Sequence, residues 1–175
     1  MIRCAITDGR SVGDGVVRRA DWIQVREKEM PARRLTEIVR GLIGRGPRII
    51  VNTRVDVALA AGAQGVHLPA RSLAPWRIRA LTGADFLIGV SCHSLFEVAR
   101  AAEEGADYVF LSPIFETASK PGYGPALGVE VLRDVCGSVR IPVLALGGVD
   151  ERRAAICAAA GAAGFASISA FATFE

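Results

Sequence analysis

Lysine is scarce in this chain: Lys28 and Lys120 are the only two among 21 basic residues, and arginine supplies the rest. Long apolar runs are missing too, so no segment reads as a membrane span. The opening "MIRCAITDG" has neither the basic start nor the apolar stretch of a signal peptide, which leads us to expect a cytoplasmic chain. Cys4, Cys92, Cys136 and Cys157 include no CxxC spacing, which argues against a zinc site or a disulfide framework and for reduced thiols. A net charge of +3 with dispersed basic residues argues against a nucleic-acid partner. What is present is globular: 51% apolar and 22% charged over 175 residues, suited to a single domain spanning 1–175 with a sizeable core. The lysine scarcity has a positive side. Arginine is a planar fork, whereas lysine is a compact point charge that reaches into crowded sites. The two retained lysines are therefore places to look for a bound anion.

Short β-rich runs recur at intervals of roughly twenty residues, the mark of an internal repeat. The patterns predict strands near 2–7, 22–26, 48–52, 65–68, 86–91, 107–112, 141–147 and 164–169. Helices are predicted over 32–44, 55–61, 74–81, 94–104, 128–136 and 151–160, with a weak one near 12–20. Gly62, Gly83, Gly105 and Gly161 fall where helix C-termini belong. Alternating strands and helices with short turns mean right-handed βαβ units and a parallel sheet. Eight strands predict a closed (β/α)8 TIM barrel, with a doubly wound open sheet as the alternative. Such barrels usually need about 250 residues, and this chain stops just after its eighth strand, so the eighth helix is lacking. That predicts exposure of Ile2 and Phe165, with Phe171 and Phe174 beside them, and hence a homo-oligomer, most simply a C2 dimer.

Strand alternation then sorts the faces. In "DWIQVREKE", Ile23 and Val25 face the helices, and Gln24, Arg26 and Lys28 point inward toward the C-terminal mouth, where active sites of this barrel lie. Three polar residues in a row are hard to explain as packing; an ion pair with Glu27 is the structural alternative. Asn52 closes the third strand, as a ligand contact or a loop cap. Ser91 reaches the mouth of the fifth strand. The neighbours Cys92 and His93 point to opposite faces, which argues against a Cys–His dyad. Ser94 reads as a helix N-cap with Glu97 as its partner. "ALGGVD" and "ASISA" end strands seven and eight, the usual phosphate corner, where Gly-Gly lets a ligand approach exposed backbone N–H groups. The loop "FLSPIFETASKPGYGP" places Thr117, Ser119 and Lys120 before a run of glycine and proline. It is either an anion-holding loop or a solvated turn.

In order, "AITDGR", "QVREK", "VNTRVDVALAAGAQGVHLP", "IGVSCHS", "GADYVFLSPIFETASK", "PVLALGGV" and "SIS" span nearly the whole chain. This ordered set resembles the thiamine-phosphate synthase/TenI superfamily. The resemblance implies a (β/α)8 barrel serving thiamine biosynthesis and acting on small phosphorylated substrates. The synthase joins a hydroxymethylpyrimidine diphosphate to a thiazole phosphate and releases pyrophosphate with magnesium's help. TenI-type relatives bind thiazole phosphate, and some tautomerise its carboxylated form. By resemblance, Arg26, Lys28, Asn52, Ser91, Thr117, Ser119 and Lys120 form a pyrophosphate shell, with Arg26, Lys28 and Lys120 its catalytic cations. Gln24 becomes a pyrimidine contact. Gly148, with the backbone of Ile168 and Ser169, becomes the thiazole-phosphate cradle. No organic cofactor is implied.

The departures are specific. Where synthases carry two magnesium-binding aspartates, this chain has Thr53 and Ser72. "HLPARSLAP" and "FET" look nearer the TenI branch, yet the tautomerase histidine is Pro113 here. His67 and His93 stand where synthases also carry histidine, so neither replaces it. Asp8, Asp56 and Asp150 are the acids nearest to strand ends. Three readings follow: a synthase-like transferase or thiazole tautomerase-like enzyme, a non-catalytic thiazole-phosphate-binding or regulatory protein, and another small phosphosugar isomerase on the same fold.

Overall fold

The computed structural model describes residues 1–8, 12–116 and 125–171. Eight strands run in chain order: β1 (Ile2–Ile6), β2 (Trp22–Val25), β3 (Arg48–Asn52), β4 (Gly65–Leu68), β5 (Leu87–Cys92), β6 (Tyr108–Leu111), β7 (Val143–Leu146) and β8 (Gly164–Ser167). Between them lie α1 (Asp14–Arg19), α2 (Ala32–Leu42), α3 (Val55–Ala61), α4 (Pro75–Arg79), α5 (Leu95–Glu103), α6 (Gly128–Ser138) and α7 (Glu151–Ala159). Every neighbouring pair is parallel, and β8 returns to β1 with Ala5 beside Ser167. That closure excludes the open doubly wound sheet.

Alternation along each strand separates two cores. Outward residues such as Ala5, Ile23, Val25, Val51, Val66, Ile88, Val109 and Val143 pack under the helices. Inward residues fill the barrel: Cys4, Ile6, Tyr108, Phe110, Leu144 and Ala166, flanked by Ile2, Trp22, Leu87, Leu146 and Ile168. Trp22 meets Tyr108 edge-on at 4.9 Å between ring centroids. Gly89 makes room for Tyr108, because a Cβ there would lie 2.1 Å from the phenol Cζ.

The helix ends follow local chemistry. Gly62, Gly105 and Gly161 adopt positive φ after α3, α5 and α7, but Gly83 does not: α4 ends at Arg79, and Gly83 instead accepts a hydrogen bond from that guanidinium at 2.9 Å. Ser94 caps α5 by accepting from Glu97 N at 3.2 Å. Glu97 reaches one residue further back than a capping box requires, taking the N–H of His93 at 2.6 Å.

The expected exposure beside β1 and β8 is not found. Phe165 is 3% exposed and Phe171 6%, and their rings stack at 6.0 Å. A single 3-10 turn, Ser169–Phe171, folds back over the outer face of β8, and the Arg19 guanidinium lies 5.8 Å over Phe171. Ile2 points into the barrel. The turn thus covers part of the face an eighth helix would take, and exposure of Phe165 gives no reason to expect a dimer. Phe174 lies outside the described residues.

Candidate active site at the barrel mouth

Exposure rises in steps along the polar residues from β2 into the turn that follows it. Gln24 is 2% exposed, Arg26 is half-buried and Lys28 is exposed. Gln24 shares the inward parity of Trp22, whereas Arg26 and Lys28 lie beyond the end of the strand. The amide nitrogen of Gln24 is buried without a hydrogen-bond partner among the described residues. Thr7, at the exit of β1, fixes the backbone beside it. Its hydroxyl donates to Glu27 Oε1 at 2.5 Å and its Oγ1 accepts the N–H of Arg26 at 2.8 Å. Glu27 therefore braces the β1–β2 exit. Thr7 was not among the expected site residues; its signals in the sequence are its place in the "AITDGR" run and at the end of an alternating strand.

Asn52 is half-buried at the end of β3 and donates from Nδ2 to Thr53 Oγ1 at 3.0 Å. Thr53 has φ +65°, a left-handed conformation that a β-branched residue rarely adopts. Its N–H donates to His67 O at 2.8 Å, which anchors the turn to β4. Ser91 is half-buried, and its Oγ lies 2.9 Å from His67 Nε2. His67 is 1% exposed, with Nδ1 3.2 Å from the Tyr108 hydroxyl and the ring stacked on Phe110 at 4.1 Å. Burial pushes the His67 pKa down to about 3, so the imidazole is neutral at ordinary pH. His67 has the inward parity of Gly65 in "GVHL", and that alternation was the signal for it.

Cys92 lies in the outer core, and burial raises its thiol to about 12. His93 turns its Nδ1 to Ser112 O at 2.8 Å. There is no Cys–His dyad.

At the exit of β7, Gly147 and Gly148 have φ +93° and +64°. Ile114 N donates to Leu146 O and Phe115 N to Gly147 O, so the segment after β6 lies across this turn. A Cβ on Gly148 would fall 2.5 Å from Glu116 O. The double glycine therefore serves packing of that loop root. Arg153 braces the turn by donating to Gly148 O at 2.7 Å with its guanidinium 4.9 Å over Phe115. The β7–β8 pairing ends with Leu146 beside Ala166, so Gly148 and Ile168 both lie just beyond the paired strands. Ser169 begins the 3-10 turn and is exposed, with its Oγ 3.5 Å from Ser167 Oγ. Thr117, Ser119 and Lys120 lie outside the described residues.

The donor set does not suit magnesium. Thr53 and Ser72, at the positions where the resemblance expects aspartates, are exposed and offer neutral oxygens. Asp56 is held by Arg54 through bonds of 2.9 and 2.6 Å, and these hydrogen bonds lower its pKa. Asp150 caps α7 by accepting from Arg153 N at 2.8 Å. Among the described residues no three acidic, histidine or cysteine side chains gather at one point.

Comparison with known proteins follows the same lines. The family model for thiamine monophosphate synthase matches residues 8–171. A putative thiamine-phosphate synthase of Geobacter sulfurreducens is 45% identical over 152 residues, covering 85% of this chain and 71% of the relative. A thiamine-phosphate synthase of Methanoculleus marisnigri is 44% identical over 155 residues, covering 86% of this chain and 74% of the relative. The solved thiamine phosphate pyrophosphorylase of Pyrococcus furiosus superposes with a TM-score of 0.86 at 31% identity, covering 99% of this chain and 89% of that one. No described helix is long and apolar enough to cross a membrane. The matched span covers nearly all of the chain, and the chain belongs to the thiamine monophosphate synthase family.

Proposed function

We propose that this chain binds a pyrimidine diphosphate and a thiazole phosphate at the mouth and joins them as a slow synthase-like transferase. The observation that carries this reading is Gln24. An amide nitrogen buried without a partner costs about 1–3 kcal/mol, which an acceptor atom of a bound ring would relieve. Arg26, Lys28 and Lys120 then face the diphosphate, with Asn52, Ser91, Thr117 and Ser119 completing the shell. Gly148, Ile168 and Ser169 take the thiazole phosphate through backbone N–H groups.

The methylene carbon–oxygen bond breaks and its electron pair leaves with the diphosphate. The thiazole nitrogen lone pair then forms the new carbon–nitrogen bond at that carbon. The chain contributes alignment of the two rings and cations held where negative charge develops. No step is routed through magnesium, because Thr53 and Ser72 do not suit it. The same two neutral residues favour a second reading, a thiazole-phosphate-binding protein without turnover. Pro113 at the expected histidine position argues against a tautomerase.

The test is incubation with both substrates, with and without magnesium, alongside calorimetric titration with pyrophosphate. We expect pyrophosphate to bind, Arg26→Ala or Lys120→Ala to weaken it at least tenfold with little change in melting temperature, and turnover to be slow. Thr53→Asp with Ser72→Asp should raise magnesium-dependent turnover. Binding without any turnover, even in the double variant, selects the second reading. Failure to bind either phosphate compound refutes both.

A further inference from the structure

The barrel interior holds a polar chain that the proposed chemistry leaves unused: Tyr108 hydroxyl, His67 ring, Ser91 hydroxyl, linked at 3.2 and 2.9 Å. Its proton order follows from the inner end. Tyr108 is 1% exposed, and among the described residues its hydroxyl has His67 Nδ1 as its one hydrogen-bond partner. If Nδ1 carried the ring proton, the phenol could only accept, and its own hydrogen would be buried unpaired. An unpaired buried donor is costly, whereas an oxygen with a spare lone pair is tolerated more easily. Tyr108 therefore donates to Nδ1. A neutral imidazole then carries its hydrogen on Nε2, and that hydrogen points at Ser91 Oγ.

Ser91 thereby becomes the acceptor of the pair, and its own hydrogen must turn away from the ring. Ser91 is half-buried at the end of β5, so the open direction is the mouth. The surroundings keep the ring in this pose. Phe110 stacks on one face at 4.1 Å, and Gly89, directly beside His67 in the sheet, leaves the space that the phenol occupies.

We propose that His67 is a positioning residue, fixed by Tyr108 as the Nε2–H tautomer, that presents Ser91 as a hydrogen-bond donor to an acceptor atom of the ligand. Resting on the reading given above, that atom is a diphosphate oxygen. A hydroxyl without this partner could spend its hydrogen on the ring; with one lone pair taken by the Nε2 hydrogen, Ser91 keeps its hydrogen for the ligand. The site at Ser91 therefore offers a donor to an acceptor atom.

The experiment combines two measurements on the full chain. Long-range proton–nitrogen NMR of the unliganded protein should show His67 protonated at Nε2 and bare at Nδ1. Tyr108→Phe should move it toward a mixture of tautomers. Titration with pyrophosphate should show a roughly tenfold loss for Ser91→Ala and a smaller one for Tyr108→Phe. The double variant should bind no more weakly than Ser91→Ala alone, since Tyr108 acts through Ser91. A purely structural role for Tyr108 predicts additive losses instead, and additivity would overturn the proposal. So would a hydrogen on Nδ1 in the unmodified protein. Failure of the unmodified protein to bind pyrophosphate would sink the diphosphate reading alone, because the ring nitrogens report the tautomer without ligand.

Discussion

Lowering the pH from 7 to 5 should cost this protein stability at His67, and by an amount the structure bounds. The ring is fully enclosed by Phe110, Tyr108 and Ser91, and burial holds its pKa at about 3 against 6.5 for the free side chain. Between these values the unfolded chain binds a proton that the folded chain refuses. Stability therefore rises with pH through that window and is lost as pH falls from about 6.5 toward 3. The limiting slope is about 1.4 kcal/mol per pH unit for one proton. Integrated from pH 7 to 5, with the bend near 6.5 included, the loss is about 2 kcal/mol. His67→Gln removes the titration while keeping an amide able to bond Tyr108 and Ser91. Urea unfolding of both proteins at pH 7 and pH 5 isolates the term, since other titrations cancel in the difference. The unmodified protein should lose about 2 kcal/mol more than the variant, seen as a larger fall in the urea midpoint. Equal falls in both would mean that His67 accepts a proton in the folded state, and the enclosed neutral ring would be refuted.

Three further outcomes are expected. Gly89→Ala should push Tyr108 out of its slot and cost about 1–3 kcal/mol by chemical denaturation, with loss of the Tyr108–His67 bond visible in the ring nitrogen shifts. Thr53→Gly should stabilise the fold by about 1 kcal/mol in the same assay, because a β-branched residue at φ +65° is strained and glycine is not; an unchanged midpoint would show that the Asn52 contact offsets the strain. Asp107→Ala removes an acceptor shared by Arg79 at 2.5 Å and the Ile88 N–H at 2.6 Å, so thermal unfolding should shift down by about 1–3 kcal/mol of stability, with pyrophosphate binding unaffected at the opposite end of the barrel.

The sequence by itself determined the alternation of eight strands with helices. Eight apolar runs spaced for βαβ units leave few alternatives, and period-two alternation sorted Ile23 and Val25 outward from Gln24. It also placed Ser94 as a cap, because an N-cap is a contact over three residues and needs no fold to form. Tertiary structure decided what depends on neighbours far along the chain. Closure came from β1 pairing with β8, a contact between residues some 160 positions apart that no local pattern encodes. Phe165 looked uncovered from sequence because eight strands with seven helical patterns between them are easy to count. A three-residue turn that folds back with Phe171 is not. The Gly147–Gly148 turn looked like a phosphate cradle, but its tightest requirement is the 113–116 segment lying across it. His67 was read from sequence only as one of two histidines that synthases also carry. Its neutrality follows from burial in the centre of the barrel, and its place between Ser91 and Tyr108 from a contact with a residue forty-one positions later.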